Sequence, residues 1–166
     1  MTTNTVRRSI RQSLVAAGAV VAAMSIGTFA ATAGECPAKK VVADGMGQKA
    51  GATKPAGVTD QVQAKIDLVN EPVMLKDHAL RLRRLVVKPG GVVPWHTHTD
   101  RPAIIYIVAG TIVEYRSTCT APIVHRAGES VAELQGRSHW WKNTGKKTVV
   151  LLSADLFHEK DDAHVM

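Results

Sequence analysis

Aromatic side chains are scarce, only 4% of the 166 residues, so a core must be built from Val, Leu, Ile and Ala. Acids are the minority charge, 14 against 21 Lys and Arg, for a formal +7. No Lys/Arg block is interleaved with aromatics, as a single-strand nucleic-acid binder requires, which sets that class of partner aside. No stretch has the apolar period of a three-turn helix. What remains is 45% hydrophobic and 21% charged, a globular balance in a length that suits one domain.

Part of the basic excess is an address label. Met1 to Gln12 carry Arg7, Arg8 and Arg11 without an acid, and Ser13 to Ala31 carry no charge at all. The run ends in Ala31-Thr32-Ala33, a small-x-small triplet of the kind a signal peptidase cuts. Together these predict a cleaved signal peptide over 1–33 and a periplasmic or secreted protein, with no membrane contact after cleavage. As a membrane anchor the same run is barely long enough to span. Arg7-Arg8-Ser9-Ile10 faintly resembles the twin-arginine export signature, and Glu35 before Cys36 argues against a lipid anchor.

Cysteine is nearly absent. Cys36 and Cys119 both lie in the exported part, and in an oxidising compartment an even pair reads first as a disulfide. Free thiols, or Cys119 as a metal ligand, are the alternatives. Residues 34–58, rich in Gly, Ala, Lys and Pro, read as a flexible N-terminal arm.

From residue 59 to 158 the pattern is one of short apolar stretches punctuated by Gly, Pro and Asn. They fall at Gln63–Val69, Ala79–Lys88, Ala103–Val108, Thr111–Arg116, Pro122–Arg126, Ser130–Leu134, Ser138–Asn143 and Thr148–Leu156. Strands of this length at short, regular spacing predict an all-β antiparallel sandwich or barrel. The charged end, 159–166, reads as a fraying tail.

His96 and His98 carry the chemistry. Two apart on an extended strand, they project from one face and converge on one ion. Imidazole suits Fe, Mn, Ni, Cu or Zn, but the pair needs a third ligand from elsewhere. The frame around it supplies one. Gly90, five residues, His96-Thr97-His98 and then Gly110 form one glycine-and-histidine frame. Gly128, five residues, Leu134-Gln135-Gly136, two residues, His139, three residues and Asn143 form a second.

These two frames resemble the two motifs of the cupin superfamily. The resemblance implies a jelly-roll barrel with His96, His98 and His139 as ligands of a divalent transition metal inside it. It also implies pairing into a homodimer. Leu134 stands where the second motif usually has proline. The first motif's glutamate position is Ala103, so the usual carboxylate ligand is missing there, and Asp100 or Glu114 are candidates to replace it. Three neutral histidines would leave an ion its full +2 charge, suited to an anionic substrate and to a bound hydroxide.

Around the histidines, Trp141 shares His139's parity and is expected to line a pocket with Ala103 and Glu114, whereas Trp140 faces the other way. Arg81 and Arg83 share a face on the strand leading to the first motif. One of them is a candidate to pair with an anion at the barrel mouth, and solvation is the alternative. His78, His125, His158 and His164 fall outside both frames and read as surface or loop histidines. The expected function is an exported metal-binding cupin, in one reading a dioxygenase-like oxidoreductase acting on a small anionic molecule. A ligand- or metal-binding module and a metal-dependent isomerase or lyase are the alternatives. The last needs Glu114, Asp100 or Tyr106 to face inward as a proton-transfer group.

Overall fold

The computed structural model describes residues 34–158, so the expected signal segment and C-terminal tail lie outside the described residues. Eight antiparallel strands follow in order: β1 (Ala56–Asp67), β2 (His78–Thr97), β3 (Ala103–Ala109), β4 (Thr111–Arg116), β5 (Ile123–Arg126), β6 (Ser130–Glu133), β7 (Ser138–Lys142) and β8 (Val149–His158). They form one curled sheet in the order β5-β4-β7-β2-β8-β3-β6, with β1 added alongside β2. This is an antiparallel jelly-roll barrel. Among the described residues no helix is long and apolar enough to cross a membrane.

The strand expected to stop at Pro89-Gly90-Gly91 instead runs through to Thr97 and changes neighbours there. Leu85 to Val87 pair with β8, and Val92 and Val93 pair with β7. Gly90 takes a positive φ of 76°, a conformation that costs glycine nothing, and this bend carries β2 from one half of the barrel to the other. Buried Asn143 holds the corner, its side-chain amide donating to the carbonyls of Val87 and Lys147.

Ala109-Gly110 suggests a hairpin in which residue 105 pairs with Glu114. In the structure β3 pairs with β6 and β8, and β4 pairs with β5 and β7. The chain crosses at Gly110 (φ 87°) between barrel halves rather than folding back on itself.

The core is aliphatic, as the shortage of aromatics demands: Leu85, Val87, Val93, Ile107, Ile112, Val131, Val149 and Leu151 cluster around Trp141. Each fully buried side chain of this kind contributes about 1.5–3 kcal/mol relative to exposure. Residues 34–55 hold no strand, yet they are pinned along the barrel. Cys36 and Cys119 form a disulfide, and Val42, Gly47 and Gln48 donate backbone hydrogen bonds to carbonyls between Arg116 and Cys119. Gly51 lies so close to the Trp140 indole that a Cβ there would sit 2.3 Å from it. Trp140 faces out of the barrel, stacked on Tyr115 at 4.1 Å.

Candidate metal centre

His96 is the penultimate residue of β2, His98 lies just past its end, and His139 lies on β7 opposite His96. Their imidazoles meet edge to edge, with Nε2 of His139 3.1 Å from Nε2 of both His96 and His98. A fourth group joins them that the sequence reading missed. Glu133 on β6 is 2% exposed and brings Oε2 to 2.5 Å from His98 Nε2 and 2.7 Å from His139 Nε2. One ligand atom from each of the four residues lies within 4.8 Å of the others.

The outward ring atoms decide what this cluster is. His96 Nδ1 lies 2.8 Å from the Pro94 carbonyl, His98 Nδ1 2.7 Å from the Arg101 carbonyl, and His139 Nδ1 2.7 Å from Glu114 Oε1. Each of those partners accepts, so each Nδ1 donates, and in the neutral ring the proton is spent there. With all three rings neutral, three Nε2 lone pairs and a carboxylate oxygen converge with no proton among them; without an ion, His139 takes one up. With the rings neutral and protonated on Nδ1, neither oxygen of the Glu133 carboxylate has a hydrogen-bond donor. Leaving such a group buried and unsatisfied costs about 1–3 kcal/mol or more. A divalent cation answers all four acceptors at once, so these residues fit the ion that the two motifs imply.

Proton affinities follow the same geometry. Burial opposes a charge on His139, but the Glu133 and Glu114 carboxylates on either side outweigh it and raise its pKa to about 9. Burial, with His139 beside it, pushes His96 well below the ordinary imidazole range. Glu133 is held below the ordinary carboxylate range, because His139 and His98 outweigh its burial.

Each residue that the sequence singled out has a definite place. Trp141 lines the cavity beside the cluster, together with Leu85, Val93, Ile105 and Leu151. Ala103 does not line it, but the residue directly across from Ala103 is Glu133. The carboxylate expected at 103 therefore enters from the neighbouring strand, and with an ion bound the site carries a net +1 rather than +2.

Glu114 is buried behind His139 rather than in the cavity. It accepts from His139 Nδ1, from His125 Nε2 at 2.9 Å and from both Nε and NH2 of Arg116. These donors outweigh its burial and hold it well below the ordinary carboxylate range. Its work is to fix the tautomer and orientation of His139. His125, read as a surface residue, is fully buried beside Trp141 as part of this network. Asp100 is exposed and Tyr106 is 43% exposed on the outer face, so neither reaches the cluster.

Arg81 and Arg83 both face inward, at 4% and 5% exposure. Arg81 makes a two-pronged pair with Asp155 at 2.9 and 3.1 Å. The sequence held a signal for Glu133 as well: Val131 and Glu133 share a parity, so a strand that buries Val131 must bury the acid with it.

The antiparallel jelly-roll barrel thus turns inward three histidines and a glutamate, a set able to hold a metal ion. A family model described as "Cupin domain" matches residues 83–155. That span holds both glycine-and-histidine frames, and over it the chain is similar to the cupin superfamily. Among solved structures it is similar to a predicted oxalate decarboxylase from Thermotoga maritima, with 18% identity over 74% of this chain and 98% of that one and a TM-score of 0.50. It is also similar to KdgF from Halomonas sp. (16% identity, 64% and 84% coverage, TM-score 0.49). The Cnp3 cupin domain of Schizosaccharomyces pombe matches with 14% identity, 67% and 73% coverage and a TM-score of 0.49. At these identities the likeness is one of fold. No curated protein matches the chain.

Proposed function

We propose that this is an exported cupin that holds one divalent transition metal (Fe, Mn, Ni, Cu or Zn) through His96, His98, Glu133 and His139. We further propose that it oxidises a small anionic organic molecule there. The observation that carries the reading is the convergence of three Nε2 atoms and a carboxylate oxygen, each histidine locked by a partner on its Nδ1. A bound ion supplies a Lewis acid and, as iron or manganese, a centre for oxygen chemistry. The chain does the rest. Glu114 and the carbonyls of Pro94 and Arg101 aim the rings, and Trp141, Leu85, Val93, Ile105 and Leu151 exclude water from the cavity. The isomerase or lyase reading is weakened, since Glu114 is fully engaged behind His139 and neither Asp100 nor Tyr106 points inward.

Elemental analysis of the purified protein beside His139→Ala tests this. Stoichiometric iron, manganese, nickel or copper, lost in the variant, together with oxygen uptake on small carboxylates, supports the reading. Zinc without oxygen uptake moves it to redox-silent chemistry, and no metal after reconstitution overturns it.

We also propose that a second copy covers the outer face of the sheet. Ile66, Leu80, Leu82, Ile104, Tyr106 and Val108 are 36–59% exposed there, on adjacent strands β1, β2 and β3 with β8 between. Together they present a contiguous, largely apolar surface of the kind that marks an interaction site. The mature protein is expected to sediment as a dimer and Ile104→Glu as a monomer. A wild-type monomer at micromolar concentration overturns this.

A further inference from the structure

The first three described residues of the N-terminal arm each meet a group on the barrel. Cys36 is bonded to Cys119, and the Glu35 carboxylate lies 3.4 Å from NH1 of Arg116. Gly34 is pressed against β5 and the turn after it. A Cβ added there would stand 2.6 Å from the Val124 carbonyl oxygen, 2.8 Å from His125 Nδ1 and 3.2 Å from Glu129 Oε2. Only a residue without a side chain comes so close to a backbone oxygen.

Those three atoms are all acceptors. Glu129 Oε2 takes one bond from the Arg126 N–H at 2.9 Å, and a carboxylate oxygen has room for another. His125 Nε2 lies 2.9 Å from Glu114 Oε2. That partner accepts, so Nε2 donates, and in the neutral ring Nδ1 keeps a bare lone pair. His125 is fully buried, and among the described residues its Nδ1 has no partner. A buried acceptor left in this state is costly and unusual enough to need a cause. The carboxylate beside it favours a donor that carries positive charge.

The sequence places such a donor at this residue. Ala31-Thr32-Ala33 ends immediately before Gly34. Hydrolysis of the Ala33–Gly34 peptide bond by a signal peptidase takes up one water, leaves a carboxylate on the leader and turns the Gly34 nitrogen into an α-ammonium. We infer that Val124, His125 and Glu129 form a capture site for the chain's own cleaved N-terminus, the ammonium donating to His125 Nδ1, the Val124 carbonyl and the Glu129 carboxylate. Capture of a terminal amine by convergent acceptors is an established mode of recognition. The inference rests on the export reading for the cut and is independent of the metal. Its consequence still reaches the centre: His125 and Arg116 both donate to Glu114, which aims His139. Removal of the leader thereby fastens the support behind one ligand.

Two measurements test it. The full-length precursor is expressed with export and the first residue of the product read by mass spectrometry, with a start at Gly34 expected. A leader retained whole overturns the export reading, and a cut elsewhere overturns the inference. Capture is read apart from export on residues 34–166 released from a fusion in three forms: free Gly34, formylated Gly34, and Ala33 kept in front. In the free form, nitrogen-15 NMR is expected to show His125 Nε2 protonated and Nδ1 bare but shifted by its donor, and the shift should be lost in the other two. The free form should also melt about 4 °C or more above them, and Glu129→Gln, which leaves His125 in place, should narrow that gap. An Nδ1 signal that is the same in all three forms, or a His125 ring protonated on both nitrogens throughout, overturns the inference.

Discussion

Ala103 and Glu133 sit directly opposite one another on β3 and β6, and such a pair has its Cβ atoms about 5 Å apart on one face. A carboxylate on either strand therefore reaches nearly the same point. Glu133→Ala is expected to lower metal affinity at least a hundredfold. Adding Ala103→Glu in that background should recover part of the loss, measured by competition with a chromogenic chelator. No recovery would mean that the ion is held at a place only β6 can reach. The three histidines were legible in the sequence because their spacing and flanking glycines form a local frame. Glu133 was not, because its relation to them exists only once β6 lies beside β3. His125 was misread for the same reason: what buries it, Glu114 and Trp141, comes from strands β4 and β7.

Strand positions were legible because turns mark them, but sidedness was not. Across the middle of the sheet the usual alternation is reversed. Leu80 and Leu82 face out while Arg81 and Arg83 face in, and Leu152 and Leu156 are more exposed than Ser153 and Asp155. Hydrophobicity alone would have turned those strands over, since a side-chain period of two gives no other clue. Such a reversal persists only where the inner charges have work to do and the outer apolar surface finds a cover.

The N-terminal arm is held to the barrel covalently. Its disulfide closes a separation of 83 residues, for which chain entropy allows at most about 4–5 kcal/mol. Joint replacement of Cys36 and Cys119 by serine is expected to lower the urea midpoint substantially, leaving metal stoichiometry intact. An unchanged midpoint would assign the arm's hold to its backbone hydrogen bonds alone.

For the whole molecule, stability should depend on pH differently with and without metal. In the metal-free chain His139 takes up a proton with a pKa of about 9, above its ordinary 6.5. Its contribution is then complete below about pH 6.5 and lost as pH rises through about 9, by at most about 3 kcal/mol. Glu133 and Glu114 are held below their ordinary range, so theirs is lost on the acid side as each takes up a proton. The melting temperature of stripped protein should fall between pH 6.5 and 9.5. That of loaded protein should stay level there, because the ion has displaced the proton. Parallel alkaline limbs in the two forms would contradict a shared site.

Among the described residues, strand β6 is the last in the sheet and pairs along one side only, with β3. Its Glu133 nevertheless reaches His98, just past the end of β2, and His139 on β7. An ion bound there works as a clasp across the open margin of the barrel. It leaves only when that margin lifts, so exchange with a free metal pool is timed by the breathing of one short strand rather than by coordination strength alone. A change that loosens the β3–β6 pairing, far from any ligand, would shorten the residence time of the ion while leaving its coordination untouched.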